Sequence, residues 1–196
     1  MSRSVLRVFL SRAGPGKGTD KRVEQVSHPG VAGTYRHKWW AMTGVGLGVL
    51  MGTLDISIVN ISLPTLEREL NTHFATIQWV AVAYILVLTS FMLGAARMGD
   101  IIGPKKVYLS GLAVFTLGSL LCGAAPGVEW LIGFRAFQGL GAAMTQAVGV
   151  AIITATFPPQ ERGRALGMIG GIVAFGLAAG PAIGGLIIGL AGWRWV

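Results

Sequence analysis

Residues 165–190 read ALGMIGGIVAFGLAAGPAIGGLIIGL, an uncharged apolar run with Gly167, Gly176, Gly180-Pro181 and Gly184-Gly185 set along it. The run exceeds the roughly 20 residues a helix needs to cross a hydrocarbon core about 30 Å thick. Pro181 removes one backbone donor and crowds the carbonyl one turn back, at Leu177, so the spacing predicts a bend there. Glycines on either side let a neighbouring helix approach without intervening side chains. A bent, glycine-faced helix in lipid suits a machine that rocks one bundle against another, whereas a plain anchor has no use for it.

Four more apolar stretches precede this one, giving spans at about Trp40–Ser62, Ile77–Met98, Val107–Ala125, Trp130–Thr154 and Ala165–Leu190. Only helices or closed barrels satisfy the backbone in lipid, and these runs lack the alternation of barrel strands. The fold class read from them is an all-α polytopic membrane protein with five transmembrane helices. Leu63-Pro64 is expected to end the first helix. The connections carry turn and charge signals: Glu67-Arg68-Glu69 with Asn71, Asp100 to Lys106, Pro126-Gly127, and Pro158 to Arg164.

Composition supports this class. Hydrophobic residues make up 53% of the chain and charged residues 12%. The 30 glycines are about double the share usual in soluble proteins. Cys122 is the single cysteine, so no disulfide within the chain is expected, and the scattered His28, His37 and His73 argue against a metal site. The net charge of +8 does not point to nucleic acid, because the basic residues gather at helix ends and in the N-terminal segment. That segment, residues 1–38, is expected to be a disordered basic cytoplasmic tail; its only apolar run, Val5 to Leu10, is interrupted by Arg7 and is too short for a signal peptide.

The lysines and arginines orient the helices. With the N-terminus in the cytoplasm, the tail, Arg97, Lys105, Lys106, Arg162 and Arg164 lie inside, and only Arg68 and Arg194 lie outside. Trp39, Trp40, Trp79, Trp130, Trp193 and Trp195 all fall near the expected interfaces, as an aromatic belt should.

Two charges fall within the apolar stretches, Asp55 in the first and Arg135 in the fourth. At mid-membrane each costs about 2.5–3.5 kcal/mol on the gentlest scale, so such residues usually face a bundle interior and take part in transport. At 1.5 Å per residue both lie roughly 7–11 Å inside the outer boundary, close enough in depth to meet or to face one cavity. The alternative is that Arg135 reaches outward to the interface and Asp55 is neutral and hydrogen-bonded. Arg135, Gln138, Ala142, Thr145 and Gly149 share one face of the fourth helix, bordered by Gln146. Such a face lines an aqueous cavity or serves as interhelical hydrogen-bonding glue. In the first helix Thr53, Ser57 and Asn60 share a face, while Gly48, Asp55 and Ser62 share another. Gly44, Gly46 and Gly48 match a dinucleotide loop only superficially, since no strand precedes them, and read as a packing surface. The inner loops, with Asp100, Gly103, Lys105 and Lys106 in one and Glu161, Arg162 and Arg164 in the next, carry both signs. They can pair with each other or with helix ends in one conformation and release in another, or be simple solvated loops.

At these residues the chain resembles the major facilitator superfamily, and most of all its fourteen-helix drug:proton antiporter branch. Residues 54–64, LDISIVNISLP, resemble the branch's first-helix motif, and residues 99–106, GDIIGPKK, its loop between helices 2 and 3. Leu131 through Arg135 to residues 138–143, QGLGAA, resembles the helix 4 motif. The glycines and Pro181 of residues 165–190 match the antiporter motif of helix 5, and residues 192–195, GWRW, resemble the lead into helix 6. The inner loop departs from the family pattern at Ala96, Ile101 and Pro104.

The resemblance implies a proton-driven exporter working by alternating access, with the proton gradient as its energy source and no cofactor. It implies Arg135 at the position tied to proton coupling and Asp55 at the branch's acidic position. Asp100 takes the gating position of the inner loop, and Gly180-Pro181 the bend that favours antiport. Asn60, Gln138 and Gln146 are expected to join Asp55 and Arg135 around a substrate cavity. Proton binding to an acidic group there would weaken its hold on a cationic or amphipathic substrate. The chain is expected to be the incomplete N-terminal half of such a transporter, with lipid, a small molecule and protons as partners, together with a missing C-terminal portion. A second reading is a truncated membrane protein with no transport of its own, a remnant or a partner for a complementary fragment. An intramembrane enzyme is disfavoured, since neither zinc-ligand spacing nor a nucleophile elbow is present.

Overall fold

The computed structural model describes residues 37–195; the expected basic tail, but for its last two residues, lies outside them. Five helices follow one another: α1 (Lys38–Glu69), α2 (Phe74–Ile102), α3 (Pro104–Gly123), α4 (Val128–Thr156) and α5 (Arg162–Ala191), with a short 3-10 turn at Trp193–Trp195. All five helices are long and apolar enough to cross a membrane. Among the described residues there is no strand, in keeping with the expected all-α membrane class.

The helices end where backbone chemistry requires it, with one exception. Gly103, at φ 97°, is the single residue between α2 and α3, a conformation that favours glycine. Pro104 follows at the start of α3, where its missing N–H leaves nothing unsatisfied. The exception is Pro64, which was expected to stop α1 but lies inside it. An interior proline costs about 3 kcal/mol. Packing offsets that cost: Leu66 is buried against Ile77, Val80 and Leu131, and Leu63 and Leu70 pack onto the same cluster.

Two expected loops are also shorter than the sequence suggested. The segment from Asp100 to Lys106 contracts to Gly103, with Asp100 in the last turn of α2 and Lys105 and Lys106 in the first turn of α3. Arg162, Gly163 and Arg164 form the first turn of α5, where Arg162 Nε donates to the Phe157 carbonyl (3.2 Å).

α4 packs along both α2 and α3, while α1 packs along α5. Three apolar clusters stack along the bundle. One, around Val45, Tyr108 and Ile153, lies towards the end bearing Lys38 and Gly103, the near end. Tyr84, Phe115 and Ala142 form the middle cluster, and Val59, Ile77 and Leu131 form one towards the opposite, far end.

Missing side chains set the closest approaches. A Cβ on Gly139 would come 2.7 Å from the Tyr84 carbonyl oxygen, and one on Gly118 would come 2.7 Å from Gln138 Cβ. On the other seam, Gly176 abuts Thr53, Gly180 abuts Ser57, and a Cβ on Gly184 would lie 2.9 Å from Ile58. The helix 5 glycines therefore divide: Gly176, Gly180 and Gly184 form a stripe against α1, whereas Gly167 and Gly185 meet nothing within 4 Å.

Candidate functional site

Asp55 of α1 and Arg135 of α4 are brought together in the far half of the bundle. Arg135 Nη1 donates to both carboxylate oxygens of Asp55, each at 2.9 Å. Their side chains are 4% (Arg135) and 9% (Asp55) exposed, so two charges excluded from solvent neutralise each other. Helix spacing explains the company they keep. Gln138, one turn along from Arg135, accepts from Arg135 Nη1 (2.7 Å) and donates through Nε2 to Asp55 Oδ1 (2.9 Å) and Ser119 Oγ (3.0 Å). The Cys122 thiol donates weakly to Gln138 Oε1 (3.8 Å). Gly118 lets α3 approach closely enough to present Ser119 and Cys122 to this amide.

Tyr84 of α2 completes the cluster. The guanidinium carbon of Arg135 lies 4.5 Å from its ring centroid, a cation–π geometry. Buried among the described residues, Tyr84 Oη and Arg135 Nε have no hydrogen-bond partner. Sequence reading missed Tyr84, Ser119 and Cys122. A tyrosine and a serine within apolar runs were the available signals, but nothing in their spacing tied them to Asp55.

The polar residues expected around one cavity are divided between two. Asp55, Arg135 and Gln138 line a small far-end pocket of about 30 Å³, with Ser62, Ser119 and Cys122 in its wall and Trp193 and Arg194 from the 3-10 turn. That is room for water rather than for an organic molecule. Gln146 instead lines a cavity of about 390 Å³ that extends towards the near end between α1, α4 and α5, with Tyr108, Phe115 and Met92 in its wall. Such a volume suits a small organic ligand. Asn60 is exposed and lines neither.

At the near end, Asp100 is exposed and lies 3.8 Å from Arg97 on its own helix, and Lys105 and Lys106 are exposed. The pairing of an inner loop with a helix end is made by Glu161 of the second loop. Lys38 Nζ at the start of α1 donates to Glu161 Oε2 before α5 (2.6 Å) and lies 5.9 Å from the Phe157 ring centroid. Trp39 meets the same ring edge-on at 6.1 Å. Of the α5 motif residues, Pro181 finds its counterpart on α1, where Ser57 Oγ donates to the Leu177 carbonyl (3.0 Å).

Comparison with known proteins places this arrangement among relatives. The chain is 40% identical over 158 residues to the riboflavin transporter RibZ of Clostridioides difficile, covering 81% of this chain and 35% of that protein. It is 39% identical over 154 residues to the multidrug resistance protein Stp of Mycobacterium tuberculosis, covering 78% and 29%. It is 34% identical over 171 residues to the tetracenomycin C resistance and export protein of Streptomyces glaucescens, covering 87% and 32%. The chain thus spans about a third of the length of the curated relatives it matches. A family model described as Major Facilitator Superfamily matches residues 45–196. With five membrane-length helices, a glycine-faced α5 and a buried charge pair between α1 and α4, this chain belongs to the major facilitator superfamily.

Proposed function

We propose that this chain is the N-terminal part of a proton-coupled exporter of small amphipathic molecules, acting in the cell membrane with its N-terminus in the cytoplasm. The observation that carries the reading is the Asp55–Arg135 pair, buried within membrane-length helices beside a cavity of ligand size. A buried pair is weak evidence for stability, because desolvation offsets much of the attraction. It makes sense as a switch. A proton delivered to Asp55 cancels the carboxylate charge, frees Arg135 from α1, and changes how α1 and α4 are held together.

Export is the direction proposed because several relatives are named for resistance or export. The excess of lysine and arginine at the near end is what supports the proposed orientation. Because the chain spans about a third of its relatives, it is proposed to work with further helices. No cofactor enters this mechanism, whose energy source is the proton gradient, and nucleic acid has no part in it.

The test uses everted membrane vesicles holding the chain, alone or together with a complementary segment, under an imposed pH gradient. Uptake of labelled riboflavin or tetracenomycin C that a protonophore abolishes supports the proposal. Uptake only with the complementary segment present supports the reading with further helices, and uptake in neither preparation favours the second reading, a membrane protein without transport of its own. Gradient-independent behaviour in both preparations rejects proton coupling.

A further inference from the structure

We infer that the 390 Å³ cavity takes an uncharged, largely apolar molecule whose polar group is recognised by Gln146, and that its wall offers no carboxylate for substrate and proton to share. The wall contains no Asp, Glu, Lys or Arg among the described residues. The buried charges of the bundle lie in the other pocket, where Asp55 and Arg135 neutralise each other. A cation entering the large cavity would shed its hydration shell and meet no anion among these residues in return.

The polar atoms on that wall narrow the ligand further. Tyr108 Oη donates to the Gly44 carbonyl (3.0 Å), Thr53 Oγ1 to the Val49 carbonyl (2.9 Å) and Thr145 Oγ1 to the Ala142 carbonyl (3.0 Å). Each hydroxyl proton is therefore committed to helix backbone. Gln146 makes no hydrogen bond among the described residues, which leaves its amide free both to donate to a ligand and to accept from one. Met51, Met92 and Phe115 supply adaptable apolar surface around it.

The two pockets nevertheless share an element. Thr53 and Ile56 line the large cavity from α1, and Asp55 between them faces the small one. A ligand and a proton would each act on α1 from different sides, so coupling runs through the position of that helix. This inference deepens the transport reading and rests on it for its physiological meaning, but it concerns binding and is tested without transport.

The experiment dialyses the full chain in nanodiscs against 10-methylacridone, neutral with a carbonyl acceptor, and against 10-methylacridinium, a cation of nearly the same shape. Empty nanodiscs supply the lipid background. The expected result is a preference for the neutral probe of about tenfold or more, reflecting the uncompensated burial of the cation. Gln146→Leu should weaken the neutral probe about fivefold, the worth of one hydrogen bond. Gln146→Glu should reverse the preference by placing an anion on the wall. Gly185→Leu, which meets open space on α5 and lines neither pocket, should leave the preference within about twofold. Equal binding of the two probes, binding of neither, or an unchanged ratio in Gln146→Glu overturns the inference. Neutral-probe selectivity without gradient-driven uptake would defeat the transport reading alone; gradient-driven uptake with equal probe affinities would defeat this inference alone.

Discussion

Ser57 of α1 donates its hydroxyl to the carbonyl of Leu177 on α5, at 3.0 Å. Leu177 stands four residues before Pro181, so it is the carbonyl that the proline deprives of its helical donor. The backbone defect in α5 is mended from a neighbouring helix, one of the ways membrane helices tolerate proline. Gly180, which lacks a side chain, leaves room for Ser57 to reach it.

Ser57→Ala should therefore lower the stability of the bundle by about 1 kcal/mol, the usual worth of an interhelical side-chain hydrogen bond in a membrane. Thermal unfolding in detergent would register this as a lower midpoint. An unchanged midpoint would mean that the Leu177 carbonyl finds its donor elsewhere.

The divided glycine motif gives a paired prediction. Gly180→Leu drives a side chain into Ser57 and should part α1 from α5, at a cost of about 1–3 kcal/mol as overpacking, with transport lost and membrane insertion kept. Gly185→Leu, five residues along in the same motif, meets open space and should leave the stability of this chain within about 0.5 kcal/mol. Equal effects of the two would show that the stripe on α1 is not what the motif serves here.

Removing one member of the buried pair leaves the other uncompensated. Asp55→Asn should destabilise the chain by about 3–5 kcal/mol and abolish the response of uptake to an imposed pH gradient. Adding Arg135→Met to it should restore much of the stability without restoring coupling. Unfolding midpoints and gradient-driven uptake, measured on the same preparations, separate these effects. Retained coupling in Asp55→Asn would remove Asp55 from the proton pathway.

Tyr84 yields a prediction of opposite sign. Its hydroxyl is buried without a partner, while its ring carries the contact with Arg135. Tyr84→Phe keeps the ring and removes the unsatisfied group, so stability should hold or rise by about 1 kcal/mol. Tyr84→Ala should lose about 3–5 kcal/mol through the cavity it leaves. A marked loss in Tyr84→Phe would reveal a partner for the hydroxyl in the membrane.

The helices were legible because apolar length in lipid admits few structures. Their ends were less so. Pro64 carries a strong local stop signal, yet α1 runs past it because Leu66 is buried by residues from α2 and α4. That is tertiary information no local window contains. Matching depths in α1 and α4 brought Asp55 and Arg135 to the same level, and Gln138 followed from helical spacing. The same spacing could not tell which residues of a polar face turn into which cavity. Asn60 turns outward and Gln146 lines a separate space, as set by how α1 and α4 rotate against each other. Tyr84 and Ser119 arrive from helices whose apolar runs gave no reason to place them beside a charge.

The two glycine seams make two stiff leaves, α2–α3–α4 and α1–α5, with the Asp55–Arg135 pair spanning the gap at one end and the large cavity lying in it. The leaves are also joined at the opposite end, where Tyr108 Oη of α3 donates to the Gly44 carbonyl of α1. Slackening the clasp by an ångström or so would therefore swing each leaf about that near-end joint, opening the gap most where the clasp had closed it.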